Sequence, residues 1–201
     1  ECTRNYLFTI LRLLKARFEK NNTISSCKAI FIIYLLQYCY QKLLIYLKMN
    51  EKELLQDLLS EESALRQNAT HALWDLWLSQ AGKEAEFRIR EGTQLMDARQ
   101  YQKAQEIFEN LVMDCPEFAE AHNKLATVLY MQKKYSPSIK ECEITLKLNS
   151  NHFGAWNGHG LCLFQLARYP EAIKSFQTAL TLQPYAEFNK IYIAKCRGQL
   201  N

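Results

Sequence analysis

Histidine and cysteine are the residue types in this chain best suited to metal binding or nucleophilic chemistry, and it has four of the first and seven of the second. His159 and Cys162 stand three positions apart, so both could lie on one face of a helix. A metal site would need at least two further ligands, and no second pair has a suitable spacing. The sequence also lacks a glycine-rich phosphate loop, a nucleophile elbow and an H-E-x-x-H motif. We therefore expect no catalytic residue, no metal and no cofactor, which means that the protein is not an enzyme.

The cysteines are better explained as core residues. Their number is odd, no two of them are close in sequence, and Cys142 and Cys162 fall within helical patterns, where a free cysteine commonly serves as a small apolar residue. This usage predicts an intracellular reducing compartment, either the cytoplasm or an organelle matrix such as that of a plastid or mitochondrion. A thiol-redox protein is an alternative, and it would require a reactive Cys162.

Residues 1–50 differ from the rest in composition. They hold eight Lys and Arg against two Glu, a net charge of +6, which leaves −2 for the remainder of a chain whose total is +4. Nucleic-acid binding needs basic residues gathered on one face, and the later part of the chain offers none. We therefore expect no nucleic-acid partner.

The same segment raises the question of a membrane anchor. Residues 29–36 are wholly apolar, but Gln37, Gln41 and Lys42 interrupt the stretch before it reaches the roughly 20 residues that a spanning helix needs. Three alternatives stay open for 1–50: a helical extension, an anchor formed by 29–48, or sequence that is not native to the protein. The last is suggested by Met49, which directly precedes the first well-patterned helix, Glu51–Leu59.

A spacing of 34 residues organises the remainder of the chain, and a period of about 34 is typical of two-helix repeats. Three sets of equivalent residues recur at this interval: Tyr101, Tyr135 and Tyr169; Gly92, Ala126 and Gly160; Ala104, Ser138 and Ala172. The small residues allow two helices to cross closely, so we expect Gly92 to face Ala104, Ala126 to face Ser138, and Gly160 to face Ala172. Each tyrosine is expected to open the second helix of its pair after a short turn. The sequence predicts an all-α, right-handed solenoid of antiparallel helix pairs.

These residues resemble the tetratricopeptide repeat (TPR) family, whose 34-residue pattern combines small, aromatic and proline positions. The third repeat matches best, through Trp156, Gly160, Ala172, Phe176, Ala179 and Pro184. The first supplies Gly92, Ala104, Phe108 and Pro116. The second keeps Leu125 and Ala126 but has Ser138, Cys142, Thr145 and Ser150 at the other positions. The resemblance covers about half of the chain.

The resemblance divides the chain into four parts. Residues 1–50 form the atypical segment, 51–84 the N-terminal cover helices, 85–186 three repeats (85–118, 119–152 and 153–186), and 187–201 a C-terminal capping helix.

In the capping helix, Phe188, Ile191 and Tyr192 are expected to face the last repeat, because end repeats need a cover. Trp74 and Trp77 of the N-terminal cover lie at helical spacing, so we expect them to pack in a core.

In TPR proteins the first helix of each pair lines a concave groove that binds a partner. The resemblance therefore implies a peptide-binding groove formed by Ile89, Thr93, Met96, Asn123, Thr127, Tyr130, Asn157, Leu161 and Phe164. Asparagine both donates and accepts, so Asn123 and Asn157 could hold the backbone of an extended peptide. Met96, Tyr130 and Phe164 would supply apolar pockets. The alternative is that these are ordinary solvated side chains between packed helices.

One TPR subclass grips the terminal carboxylate of large chaperones with Lys, Asn and Arg at fixed positions. The corresponding residues here are Ile89, Thr93, Lys124, Gly154 and Gly158, so this clamp is missing. We expect a monomeric, non-enzymatic interaction module that binds a protein or peptide partner, as an adaptor or assembly factor. A membrane-tethered TPR scaffold anchored through 29–48 is the alternative.

Overall fold

The computed structural model describes residues 50–200, and the predictions for 1–49, including the anchor at 29–48, lie outside the described residues. A helical segment at 50–57 is followed by eight helices. They are α1 (Ser63–Ser79), α2 (Lys83–Asp97), α3 (Tyr101–Asp114), α4 (Ala119–Met131), α5 (Tyr135–Leu148), α6 (Phe153–Gln165), α7 (Tyr169–Leu182) and α8 (Glu187–Gly198). The described residues contain no strand, which confirms the all-α helical-repeat prediction. None of the helices between residues 50 and 200 has the length and hydrophobicity of a transmembrane span.

Six of these helices form three pairs, α2 with α3, α4 with α5, and α6 with α7, stacked in chain order. The second helices begin at Tyr101, Tyr135 and Tyr169, the residues expected to open them. Pro116 and Pro184 lie just beyond the ends of α3 and α7, because proline cannot continue a helix.

The turn inside each pair contains a residue in the left-handed region, and none of the three is glycine. Arg99, Lys133 and Ala167 have φ values of 58°, 62° and 57°. The Arg99 amide donates to the Met96 carbonyl at 2.9 Å and the Gln100 amide to the Leu95 carbonyl at 2.8 Å. The same two bonds recur in the other turns, so each first helix ends in a Schellman motif that satisfies its last carbonyls.

The small residues lie where the two helices of a pair cross. Ser138 donates to the Ala126 carbonyl at 2.7 Å, so these two residues face each other as expected, and in the other two pairs the glycine makes room for a phenylalanine ring. A Cβ atom on Gly92 would lie 2.5 Å from the Phe108 ring, and one on Gly160 would lie 2.7 Å from the Phe176 ring. Both rings are fully buried. In the second repeat the larger Ala126 replaces the glycine and the smaller Cys142 replaces the phenylalanine, so the change in size is compensated across the pair.

Leu78 of α1 packs against the core of the first repeat, as expected of a cover helix, and the aromatic residues of α1 contact the third repeat. Trp74 packs edge-on against Phe153 with ring centroids 5.2 Å apart, and its ring fills the space beside Gly154. Trp77 is buried, as expected for a core residue. Further along, Gln183 donates to Thr70 at 3.4 Å. The start of α1 thus lies near the end of α7, and α1 runs back across the stack to its turn into α2.

The capping helix α8 buries a different face from the one expected. Asn189, Ile193 and Cys196 are buried, whereas Phe188 and Ile191 are 42% and 51% exposed. The Tyr192 ring does contact the rings of Phe164 and Phe176. The correction follows from the 34-residue register, because Asn189 occupies the position of the buried Ala155 and Phe188 that of Gly154.

Candidate functional site

The nine predicted groove residues lie on three parallel stripes, one on each first helix, at spacings of four and then three residues. We call the surface formed by these stripes and their continuation on α8 the groove face. It consists of Ile89, Thr93 and Met96 on α2, Asn123, Thr127 and Tyr130 on α4, Asn157, Leu161 and Phe164 on α6, and Phe188 and Ile191 on α8.

The side chains of the α2 stripe mostly pack or form hydrogen bonds within the protein. Ile89 is 2% exposed and belongs to the core between the first and second repeats. The hydroxyl of Thr93 donates to the Ile89 carbonyl at 2.7 Å. Met96 is half-buried and packs against the same core. These side chains support the fold and present little free polar surface.

The side chains of the α4 stripe also form hydrogen bonds or pack within the protein. The Asn123 side chain donates from Nδ2 to Oε2 of Glu120 at 3.2 Å, and Thr127 donates to the Asn123 carbonyl at 2.8 Å. Tyr130 is half-buried beside Tyr135, with ring centroids 5.6 Å apart. Burial raises the pKa of the Tyr130 phenol, because the charged phenolate is disfavoured away from water.

The stripe on α6 contains a polar atom without a partner. Oδ1 of Asn157 is buried and accepts no hydrogen bond. Leu161 and Phe164, one and two turns further along the helix, are half-buried. A buried acceptor without a donor costs about 1–3 kcal/mol. The α6 stripe therefore pairs apolar side chains with an unused hydrogen-bond acceptor.

The groove face continues onto α8 through two residues that sequence reasoning had assigned to the packed side of the cap. Phe188 and Ile191 follow Gly154 and Asn157 by 34 residues, so they stand where a fourth repeat would carry its groove residues. Phe188 still contacts the Phe176 and Tyr192 rings, yet much of both side chains is open to solvent. The repeat register was the signal that could have identified them.

A buried hydrogen-bond network fixes the base of the groove face. Nδ1 of His152 accepts from the Ala155 amide at 3.0 Å, so Nε2 carries the proton in neutral histidine and donates to Oε2 of Glu120 at 3.0 Å. His152 is fully buried and Glu120 is 3% exposed. Nζ of Lys124 lies 3.5 Å from the other carboxylate oxygen. The network ties the N-terminus of α6 to that of α4.

His159 and Cys162 do not share a metal-binding or nucleophilic site, because the two side chains form hydrogen bonds to different helices. His159 donates from Nδ1 to the Ser175 hydroxyl on α7 at 2.8 Å, while Cys162 donates to the Ser138 hydroxyl on α5 at 3.1 Å. Burial lowers the pKa of His159. Residues 50–200 contain no cluster of three or more His, Cys, Asp or Glu side chains able to hold a metal ion.

The thiols of Cys142 and Cys162 are expected to resist alkylation in the native protein. Both are buried, and burial raises the pKa of each, so little nucleophilic thiolate forms at pH 8. Iodoacetamide labelling read by peptide mass spectrometry should find both unmodified until guanidinium unfolds the chain. Gln102→Cys, at an exposed position on α3, is the reactive control. Native labelling of Cys162 at the control rate would revive the thiol-redox alternative.

Comparisons with known proteins agree with this architecture. A family model described as anaphase-promoting complex, cyclosome, subunit 3 matches residues 97–179. The chain is 30% identical over 66 residues to tetratricopeptide repeat-containing protein trd-1 of Caenorhabditis elegans, an alignment that covers 33% of this chain and 9% of trd-1. It is 28% identical to a BBSome complex member BBS4 homolog of Drosophila melanogaster, with 56% of this chain and 30% of that protein covered. The chain spans less than a third of either curated relative.

Among solved structures, the first TPR domain of Spaghetti (RPAP3), bound to the HSP90 peptide SRMEEVD, superimposes with a TM-score of 0.56 at 19% identity. The match covers 57% of this chain and 90% of that chain. At this identity the likeness concerns the fold alone. With helix pairs at a 34-residue period and a glycine packed on a phenylalanine in two of them, the chain has the fold of tetratricopeptide-repeat domains.

Proposed function

We propose that this chain is a non-enzymatic protein-interaction module that binds a segment of a partner protein on its groove face, as an adaptor or assembly factor. The observation that carries the proposal is the unpartnered Oδ1 of Asn157. Nearly all buried polar atoms in folded proteins have a hydrogen-bond partner, so an exception calls for an explanation. A backbone N–H of a bound peptide would supply the missing partner once the half-buried Asn157 amide turns its oxygen toward the groove face.

The apolar surroundings of Asn157 support a peptide with hydrophobic side chains. Leu161 and Phe164 continue the α6 stripe, and Phe188 and Ile191 add exposed apolar surface on α8. Groups of exposed apolar side chains beside polar ones are typical of interaction sites. We place the partner segment against α6 and α8, because the polar groups of the α2 and α4 stripes already bond within the protein.

The HSP90 peptide bound by the similar RPAP3 domain is a different kind of ligand. At the positions where a carboxylate clamp would need charged or amide side chains, this chain has Ile89, which is buried, and Gly154, which is covered by Trp74. Neither can pair with a carboxylate. We propose that the partner contributes backbone N–H groups and apolar side chains from an internal segment instead.

The test is affinity capture from native lysate with the full chain, read by quantitative mass spectrometry. Asn157→Ala combined with Ile191→Ser is expected to lose a protein that the wild type retains. The lost hydrogen bond alone should cost about 1–3 kcal/mol of binding free energy. Asn157→Ala should not lower the free energy of unfolding, because the Asn157 oxygen has no hydrogen bond to lose in the free protein.

The matched control is Asn110→Ala combined with Ile144→Ser, which changes the same residue types at exposed positions on the second helices α3 and α5. It should capture the same proteins as the wild type. Equal capture by the wild type and both variants would rule out the groove face as the binding surface.

A further inference from the structure

The helix α1 is amphipathic, and its apolar side packs both on the preceding segment, through Leu58, and on residues that belong to the repeats, such as Phe153. Ala69, Leu73 and Trp77 follow one another at four-residue intervals and are at most 1% exposed. Trp74 and Trp77 stand three positions apart and contact each other edge-on, with ring centroids 5.5 Å apart. This is the arrangement of a helix whose apolar anchors insert into a groove.

The repeats hold the surface that receives these two rings, without help from α1. The His152 ring stacks on Trp77 at 4.7 Å between centroids with 21° between planes. His152 is oriented by Ala155 and Glu120, which both lie in the repeats. Gly154 leaves the space into which Trp74 inserts, since a Cβ there would lie 2.7 Å from that ring. A flat imidazole and a glycine recess thus form a preorganised seat for two aromatic side chains.

The helix α1 fills this seat but not the rest of the space in front of the repeats. A cavity of about 360 Å³ remains between α1 and the helices α2 and α4, with Trp74, Leu78, Ile89, Arg90 and Lys124 among its lining residues. The cavity is open to solvent, so larger side chains of another helix could enter it. The hydrogen bond from Gln183 to Thr70 is also long, at 3.4 Å. A different helix could therefore make contacts here that α1 does not make.

We infer that α1 occupies this seat as an internal ligand, and that an external partner at this seat is an amphipathic helix with two aromatic residues three positions apart on its apolar side, which displaces α1. The inference rests on the proposed function, because it takes the chain to be a protein-interaction module. It adds a second binding surface for a helical partner and a way to regulate it. A tethered helix competes at a high effective concentration, so it masks the seat from weak partners.

The experiment uses a fluorescein-labelled synthetic peptide with the sequence of Ser63–Ser79 and measures its binding to the full chain by fluorescence anisotropy. In Trp74→Ala, Trp77→Ala protein, the tethered copy loses its anchors and the seat is free. We expect this variant to bind the peptide at least tenfold more tightly than the wild type does. Phe87→Ala, which removes an exposed aromatic residue on α2, should bind like the wild type. A peptide with alanine at both tryptophan positions should not bind.

Two outcomes would overturn the inference: no binding of the peptide to a double variant that retains its helical circular dichroism, or equal binding to the double variant and the wild type. If the double variant does not fold, hydrogen exchange of the wild type decides. Amides of α1 should then exchange at least tenfold faster than those of α4, because α1 must leave its seat while the repeats stay folded. Equal protection of α1 and α4 would refute displacement.

The two proposals can fail separately. Peptide binding to the freed seat, together with full capture of lysate proteins by the Asn157→Ala, Ile191→Ser variant, would support the α1 seat and refute the proposed partner site on α6 and α8. Loss of capture by that variant, with no peptide binding, would leave the proposed function standing and refute the seat.

Discussion

Gly160→Leu is expected to destabilise the protein by about 3 kcal/mol, because α6 and α7 cross at this residue with no room for a side chain. Three atoms of the Phe176 ring lie 2.7–2.9 Å from where a Cβ would stand. The ring is fully buried and cannot rotate into solvent, and Ala172 on the same helix is fully buried too. Urea unfolding followed by circular dichroism at 222 nm would measure the loss of free energy.

Gly158→Ala is the matched control, since it changes a glycine of the same helix. Its Cβ would meet only Sγ of Cys142, at an ordinary contact distance of 3.4 Å. Replacing a helical glycine with alanine favours the helix by about 1 kcal/mol, so this variant should be as stable as the wild type or more stable. If both substitutions cost the same, the helix as a whole is intolerant and the crossing at Gly160 is not the cause.

The second repeat suggests a sharper form of this experiment. It carries Ala126 and Cys142 where the third carries Gly160 and Phe176, so the extra methyl group is accommodated by a smaller partner. Gly160→Ala alone should cost about 1–3 kcal/mol, but the same change in a Phe176→Cys background should cost nothing. Additive effects of the two substitutions would mean that the pair is not coupled.

The repeat period made the helix pairs predictable, because a tyrosine and two small residues at 34-residue intervals restrict both where the helices lie and where they cross. It did not reveal the left-handed turn residues. Arg99, Lys133 and Ala167 adopt φ values that favour glycine. Two hydrogen bonds in each Schellman motif hold these residues there, and side-chain chemistry alone gives no sign of it.

The candidate site was predictable only in part. The register places the nine residues at equivalent positions of the three first helices, but it does not tell which of them bond within the protein. Helical spacing indicated that α1 buries Leu73 and Trp77, but an amphipathic pattern does not specify the surface against which a helix packs. Glu120 was equally hidden, since a glutamate in the first turn of a helix is usually solvated, whereas this one is 3% exposed.

His152→Phe is expected to destabilise the protein by about 2–4 kcal/mol, because it leaves a buried carboxylate without its hydrogen-bond donor and removes the cap on the Ala155 amide. Phenylalanine keeps a flat ring beside Trp77, so the aromatic packing is largely retained. It removes the donor to the buried Glu120 carboxylate and the acceptor for the Ala155 amide. What remains around the carboxylate is the Asn123 side chain and Lys124 at 3.5 Å. Guanidinium unfolding would measure the change.

A second substitution separates the buried charge from the other consequences of losing His152. In Glu120→Met, His152→Phe protein no carboxylate is left without its donor, and apolar replacement of both partners of a buried pair is often close to neutral. The double variant should therefore recover much of the stability that His152→Phe loses, with the lost cap on the Ala155 amide accounting for about 1 kcal/mol of the remainder. If Glu120→Met instead lowers the free energy of unfolding further, the stability of this region comes from shape and packing at His152. The buried Glu120 carboxylate would then cost little without its histidine partner.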